Sequence, residues 1–454
     1  MTHPQPYRPD PRILELGDDF ADPLRPAAFP ACTERFWNAA AAAEVGLQDI
    51  DRAAHFCRFE PLPDNLGQPL ALRYHGHQFR SYNPELGDGR GFLFAQLRDD
   101  RDRLLDLGTK GSGQTPWSRF GDGRLTLKGG VREVLATEML QALGVDTSRS
   151  FALFETGEAL ERNDEPSPTR SAVLTRLSHS HIRIGSFQRL AFHDDSAGLA
   201  RLVRYCLKHL FGEPADAGPL RLLELTVERT ATLAASYLAA GFVHGVLNTD
   251  NINITGESFD YGPWRFTPEW DLDFTAAYFD HAGLYAFGRQ PEAIQWNLAQ
   301  LAGCLALLVD DHSPLSAQLG TFAEHFHSAL AHALVTRLGL TPAEPEADRE
   351  LARAITQALA RRVTTIDRFF FDWRGGRRPL AGAYAEPGFD PLAALLTERT
   401  VEPRHAYWSD DQPCSLHIEE VEAIWAGIAS SDDWSAFHAK VAAIRRMGEA
   451  MAQG

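Results

Sequence analysis

His244-Gly-Val-Leu-Asn-Thr-Asp-Asn-Ile-Asn-Ile254, followed by Ser258-Phe-Asp-Tyr-Gly-Pro263, is the stretch from which this chain is best read. It concentrates Asp250, Asn251 and Asp260, hard-oxygen groups of the kind Mg²⁺ takes when nucleotide phosphates supply its remaining ligands. Ile252–Ile254 and Ser258–Phe259 flank Gly256. A hairpin there would bring Asn251 and Asp260 together at its open end. Asn and Asp are also turn formers, so a polar loop without chemistry is the competing reading.

Upstream, Gly91–Leu97 and Leu104–Lys110 read as strands, separated by the polar turn Asp99–Asp102. Thr126–Leu143 has apolar residues near helical spacing and Gly144 as a stop. Phe151–Thr156 and Ser171–Leu177 read as further strands, joined by the loop Glu161–Pro168. Residues 1–30, rich in Pro and Asp, read as an extended arm, and Glu34–Gln48 as one helix. Downstream, helices are expected at 200–211, 221–240, 291–309, 315–338 and 349–371, with 341–348 as a linker. The tail 418–451 reads as two helices parted by Ser430-Ser-Asp-Asp433. Strands first and helices later make an α+β chain.

Within this frame Lys110 ends a strand, and Glu133 follows 23 residues later inside a helix. Leu86-Gly-Asp-Gly-Arg-Gly91 stands directly before a strand. Its glycines allow close backbone approach to phosphates, and Arg90 adds a planar charged fork, although Asp-Gly is also the usual hairpin dipeptide. Arg176 and Arg183 are close enough in sequence to clamp a polyphosphate. His75 and His77 lack a third ligand or a helical spacing and read as packing residues. Asp271 and Asp273 read as a solvated loop.

Composition narrows the partners. Lys plus Arg number 44 against 61 Asp plus Glu, a formal net charge of −17. Such a surface repels phosphate backbones, so nucleic acid is not an expected partner. With 454 residues the chain can bury a large core, at roughly 150 residues per domain. Cys32, Cys57, Cys206, Cys304 and Cys414 are scattered without a C-x-x-C, which predicts reduced, buried thiols and no thiolate zinc site. The start Met1-Thr-His-Pro-Gln-Pro has no leader pattern, and the longest apolar run, Leu301–Val309, is too short to span a bilayer. A cytoplasmic protein without a membrane partner is the expectation.

Asp260-Tyr-Gly262 resembles the Asp-Phe-Gly metal motif of protein kinases, and His244-Gly with a downstream Asn resembles their catalytic loop. Lys110 with Glu133 resembles the kinase strand-lysine and helix-glutamate pair. Longer strings resemble the selenoprotein O family: Gly76-His-Gln-Phe79, Pro84–Arg90, Leu107–Arg124, Val131-Arg-Glu133, His244–Asn251, Phe259–Pro263 and Asp280–Phe287, in family order over about residues 70–310. The resemblance implies a protein-kinase-like bilobal fold, with a β-rich N-lobe and a mainly helical C-lobe. Residues 1–75 would be an N-terminal extension packing on the N-lobe, 76–178 the N-lobe, 179–340 the C-lobe and 341–454 an additional helical C-terminal region.

The implied activity is protein adenylylation: AMP passes from ATP, bound in reversed orientation, to Ser, Thr or Tyr hydroxyls of other proteins. By that resemblance Gly87, Gly89, Arg90, Asp122 and Gly123 line the nucleotide. Lys110, set by Glu133, holds phosphates together with Arg176 and Arg183. Asn251 and Asp260 bind Mg²⁺ or Mn²⁺, and Asp250 accepts the proton. A kinase places its catalytic Asp two residues after the loop His, where this chain has Val246, so no base stands at the usual place for γ-phosphoryl transfer. The alternatives are uridylyl transfer from UTP with Mn²⁺, a γ-phosphate kinase, and a silent nucleotide-binding scaffold. A monomer is expected. Many family members carry a Cys or selenocysteine close to the C-terminus; the last thiol here is Cys414, and the final 110 or so residues match the family weakly.

Overall fold

A computed structural model describes residues 6–163, 165–379 and 382–453. Met1–Gln5, where the leader reading begins, lie outside the described residues. The first part of the chain builds β1 (Ala21–Pro23), β2 (Thr33–Trp37), α1 (Ala39–Glu44), α2 (Arg52–Phe56), β3 (Leu70–Leu72), β4 (Gly76–Gln78) and β5 (Ser81–Asn83). It continues with β6 (Leu93–Arg98), β7 (Leu104–Lys110), β8 (Leu125–Thr126), α3 (Leu127–Ala142), β9 (Arg149–Leu160) and β10 (Thr169–Ser178). An antiparallel sheet runs β1-β3-β6-β7-β10-β9-β2, with β8 also paired to β10. β7 is buried along its whole length, as a strand covered on both faces must be.

α3 starts because the Thr126 hydroxyl accepts from Gly129 N at 3.1 Å, an N-cap. Its apolar face, including Val131, Val134, Leu135 and Met139, packs on β9 and β10. A second core of Phe56, Phe59, Phe92, Phe94 and Phe151 fills the opposite face of the sheet with α1 and α2.

After β10 the chain is mainly helical. α4 (Ile184–Phe192), α5 (Ser196–Tyr205) and α6 (Gly218–Ala240) lead to the short pair β11 (Phe242–Val243) and β12 (Arg265–Phe266). α7 (Gln290–Leu305), α8 (Ser313–Gly320), α9 (Phe322–Arg337), α10 (Pro345–Leu359), α11 (Ile366–Asp372) and α12 (Asp390–Leu396) follow. α13 (Ile418–Ser431) and α14 (Ser435–Ala452) return to the sheet end, where Arg445 forks onto Glu138 of α3 at 2.7 and 2.9 Å. No helix among the described residues is long and apolar enough to cross a membrane.

Several expectations are corrected. Glu34–Gln48 is not one helix: Thr33–Trp37 pairs with β9 as a sheet edge, because Trp37 packs on the aromatic core and Phe36 in the core on the opposite face, and only Ala39–Glu44 coils. The arm 1–30 contributes β1. The helices expected at 315–338 and 349–371 are each two, broken at Thr321 and over 360–365. The five thiols are not all reduced: Cys32 and Cys57 form a disulfide, while Cys206, Cys304 and Cys414 are free and buried. Twenty-five residues part that pair in sequence, and no spacing motif marks it. The hairpin expected over 252–259 does not form. Asn253 bridges to Arg183 and Ser258 to Thr147, so each short segment is drawn to a different neighbour.

Candidate active site

Strand register decides where the cations go. Leu174 of β10 faces Lys110 of β7, and Arg176 faces Gly108. Alternation therefore puts Lys110 and Arg176 on one side of the sheet. Glu133 of α3 meets Lys110 there in a buried ion pair. Arg183 comes from elsewhere, at the N-terminal end of α4, where Ile184 N donates to Ile252 O at 3.0 Å. Its guanidinium lies 4.2 Å from the Tyr74 ring centroid and 4.9 Å from that of Phe259.

All three cations converge on Asp260. Its Oδ1 lies 3.3 Å from Lys110 Nζ and 3.2 Å from Arg176 Nη1, and its Oδ2 lies 3.4 Å from Arg183 Nη1. Burial alone would raise the Asp260 pKa; Lys110, then Arg176 and Arg183, outweigh it and hold the carboxyl well below the usual range. Asp260 adopts φ +61°, the left-handed region, which Asp tolerates better than most residues.

Asp250 sits in a short 3₁₀ turn, Thr249–Asn251, and its own carbonyl accepts from Arg183 Nη1 at 2.9 Å. Its Oδ1 is buried and accepts no hydrogen bond. Burial is the largest influence and pushes its pKa up to about 6 against the pull of Arg183. Asn251 Nδ2 donates to Val246 O at 2.9 Å, which fixes the amide and leaves Oδ1 as its acceptor face.

These groups line one cleft of about 750 Å³, within the range of small-molecule sites. Gly87, Gly89, Arg90, Lys110, Asp122, Gly123, Arg176, Arg183, Asp250 and Asp260 are all on its wall. Glu133 lies behind Lys110 and lines an adjoining cavity of about 270 Å³. Asn251 lines neither cavity, so the structure does not bring it to the wall with its neighbour Asp250.

The glycines act on protein rather than on open space. A Cβ on Gly87 would sit 2.4 Å from the Trp117 ring, and one on Gly123, at φ +70°, 2.2 Å from the Gly113 carbonyl. They let the loop 111–124 fold against the segment 87–91. Thr115 Oγ1 donates to Asp88 O and Ser118 Oγ to Gly89 O, both at 2.5 Å. Asp122 accepts a fork from Arg162 at 2.8 and 3.2 Å.

Sequence reasoning gave no role to Asp88, Arg162 or Trp117. Asp88 stood inside the quoted Gly-Asp-Gly; it lies 3.5 Å from Arg183 Nη2, and burial raises its pKa. Arg162 comes from a loop with no pattern of its own.

Among the described residues no three His, Cys, Asp or Glu side chains gather as a metal-binding group. The unpartnered Asp250 Oδ1 and the Asp260 carboxylate, both on the cleft wall, are nevertheless the hard oxygens a cation takes when it has few protein ligands and completes its shell with phosphate.

The chain matches known sequences over most of its length. A profile described as protein adenylyltransferase SelO matches residues 6–380. A protein nucleotidyltransferase YdiU from Synechocystis is 40% identical over 94% of this chain and 96% of its own length. One from Gloeobacter violaceus is 42% identical over 96% of this chain and 95% of its own, and one from Vibrio cholerae 36% identical over 79% and 73%. The chain thus belongs to the protein adenylyltransferase SelO family.

Proposed function

We propose that this protein transfers AMP from ATP to Ser, Thr or Tyr hydroxyls of other proteins. The observation that carries the reading is the convergence of buried Lys110, Arg176 and Arg183 on Asp260 in a cleft that Asp250 also lines. Three buried cations suit the most highly charged part of ATP, its β- and γ-phosphates. The nucleotide then lies reversed relative to a kinase, with its α-phosphorus toward Asp250. Arg90 and the loop around Asp122 and Gly123 line the remaining length.

The acceptor oxygen attacks the α-phosphorus, the bond to the α,β-bridging oxygen breaks, and pyrophosphate leaves. Asp250, a carboxylate poised near neutrality, takes the hydroxyl proton. Lys110, Arg176 and Arg183 stabilise charge on the departing pyrophosphate, and Glu133 holds Lys110 in place. Asn251 and Asp260, with Asp250 adjacent, would hold Mg²⁺ or Mn²⁺, which when bound neutralises phosphate charge.

The same reading divides the chain as a kinase-like fold: an extension over 1–75, an N-lobe over 76–178, a C-lobe over 179–340 and a helical region over 341–454. In its support, every strand of the large sheet lies before residue 179, and every helix longer than α3 lies after it. A monomer working in the cytoplasm, where ATP is abundant, completes the proposal.

The test is incubation with ATP labelled at the α- or the γ-phosphate, with UTP in parallel. Label retained on protein from the α position, lost in Asp250→Ala, is the expected result. Label from the γ position makes the protein a kinase, and tight ATP binding without transfer makes it a scaffold.

A further inference from the structure

Three exposed aromatic side chains gather near the turn that carries Asp250. Phe79 is 38% exposed, Phe279 42% and Tyr278 84%. Their rings form a connected surface: Phe79 to Phe279 at 5.8 Å and Phe279 to Tyr278 at 5.1 Å between centroids. Tyr285 lies beneath, 5.0 Å from Phe79, and its hydroxyl donates to Asn248 Oδ1 at 2.7 Å. A contiguous exposed aromatic surface marks an interaction site in a way that scattered exposed residues do not.

The backbone that presents Phe79 is strained. Gln78 pairs with Ser81, so Phe79 and Arg80 are the two central residues of a β4–β5 hairpin turn. Both have positive φ, +49° and +62°. Such a turn favours Asn-Gly, and a bulky aromatic there is an outlier of the kind that clusters at functional sites.

The hairpin is fastened to the turn that carries Asp250. His77 N donates to Thr249 Oγ1 at 2.6 Å, and Phe79 N to Asn248 Oδ1 at 3.1 Å. Gly76 abuts Asp250 so closely that a Cβ would lie 3.1 Å from its Oδ1, and Gln78 lines the cleft with Asp250. From Gly76 to Phe79 is three residues of chain, about 10 Å at strand spacing.

We propose that the Phe79–Phe279–Tyr278 surface docks the protein substrate as an extended segment. With the acceptor hydroxyl at Asp250, an apolar side chain two or three positions away rests on these rings. Gln78, the residue before Phe79, lines the cleft, and the chain length from Gly76, which abuts Asp250, to Phe79 matches that offset. The inference rests on the adenylyl-transfer reading and adds to it the chemistry of the acceptor.

The test uses the full-length protein, α-labelled ATP and peptides bearing one Ser, Thr or Tyr in an Ala background. Leu or Lys is placed at each position up to three residues from the hydroxyl. The wild type is expected to favour Leu over Lys at one such position by about tenfold or more in kcat/KM. Phe79→Asn and Tyr278→Ala should each erase that preference and leave the KM for ATP unchanged. Phe79→Asn should also keep or raise Tm, because Asn accepts the left-handed turn.

Transfer with no positional preference, or a preference that survives both variants, overturns the docking surface and spares the adenylyl-transfer reading. A wild-type protein that labels no hydroxyl overturns that reading and the docking surface with it. A dimer in sedimentation that Tyr278→Ala dissociates gives the patch to a second copy of the chain and overturns the proposal.

Discussion

Asp260 and Asp250 line the same cleft under opposite electrostatic regimes. Asp260 has three cations within 3.4 Å and stays ionised far below neutrality. Asp250 has a buried, unpartnered oxygen and a pKa pushed up to about 6. Two carboxylates whose surroundings drive their pKa values apart suit different tasks. Asp260 is a permanent charge for organising phosphate and cation; Asp250 is a group able to exchange a proton near neutral pH. The chemistry of each is set less by residue type than by what the fold packs around it.

Four changes would break or sharpen that contrast, and they rank by size. Removing the permanent charge should matter most: Asp260→Asn is expected to lower kcat by about 10³-fold, about 4 kcal/mol of barrier. A radiolabel transfer assay measures it, and activity within a few fold of wild type would contradict the assignment. Next, Glu133→Ala leaves Lys110 with one fewer buried counter-charge and should destabilise the fold by about 3 kcal/mol in urea unfolding.

The proton-exchanging side should show in pH dependence. Carboxyl NMR of the nucleotide-free protein should find Asp250 titrating near 6, with Asp260 still ionised at the lowest pH the fold survives. Because the base must be ionised, transfer should weaken as pH falls through about 6, by about tenfold per unit below it. The smallest effect belongs to the exposed rim. Asp122→Asn breaks the fork with Arg162 in partly solvated surroundings and should change stability by less than about 1 kcal/mol.

The sheet and the phosphate-facing cations were legible because their signals are local. Leu104–Lys110 is an apolar run ending in a cation, and Thr126 followed by periodic apolar residues marks a capped helix. Lys110, Arg176 and Glu133 then fall into place by strand alternation and helix packing. What sequence misjudged depends on distant partners. Ile252–Ile254 had the composition of a strand, yet the segment was claimed by Arg183 rather than by Ser258. Thr33–Trp37 looked helical beside the Ala run until the aromatic core behind β9 drew it into the sheet. Arg162 and Trp117 reach the site from loops, where no periodicity announces a side chain's direction. The Cys32–Cys57 pair joins segments brought together only by the fold.

The central claim is a direction: triphosphate tail toward Lys110, Arg176 and Arg183, α-phosphorus toward Asp250. A crystal structure with an ATP analogue whose α,β-bridge cannot be cleaved tests it directly. The γ-phosphate is expected within hydrogen-bond reach of Arg176 and Arg183, and the α-phosphorus as the phosphorus nearest Asp250. A γ-phosphate beside Asp250, with the adenosine directed at Arg183, would contradict it.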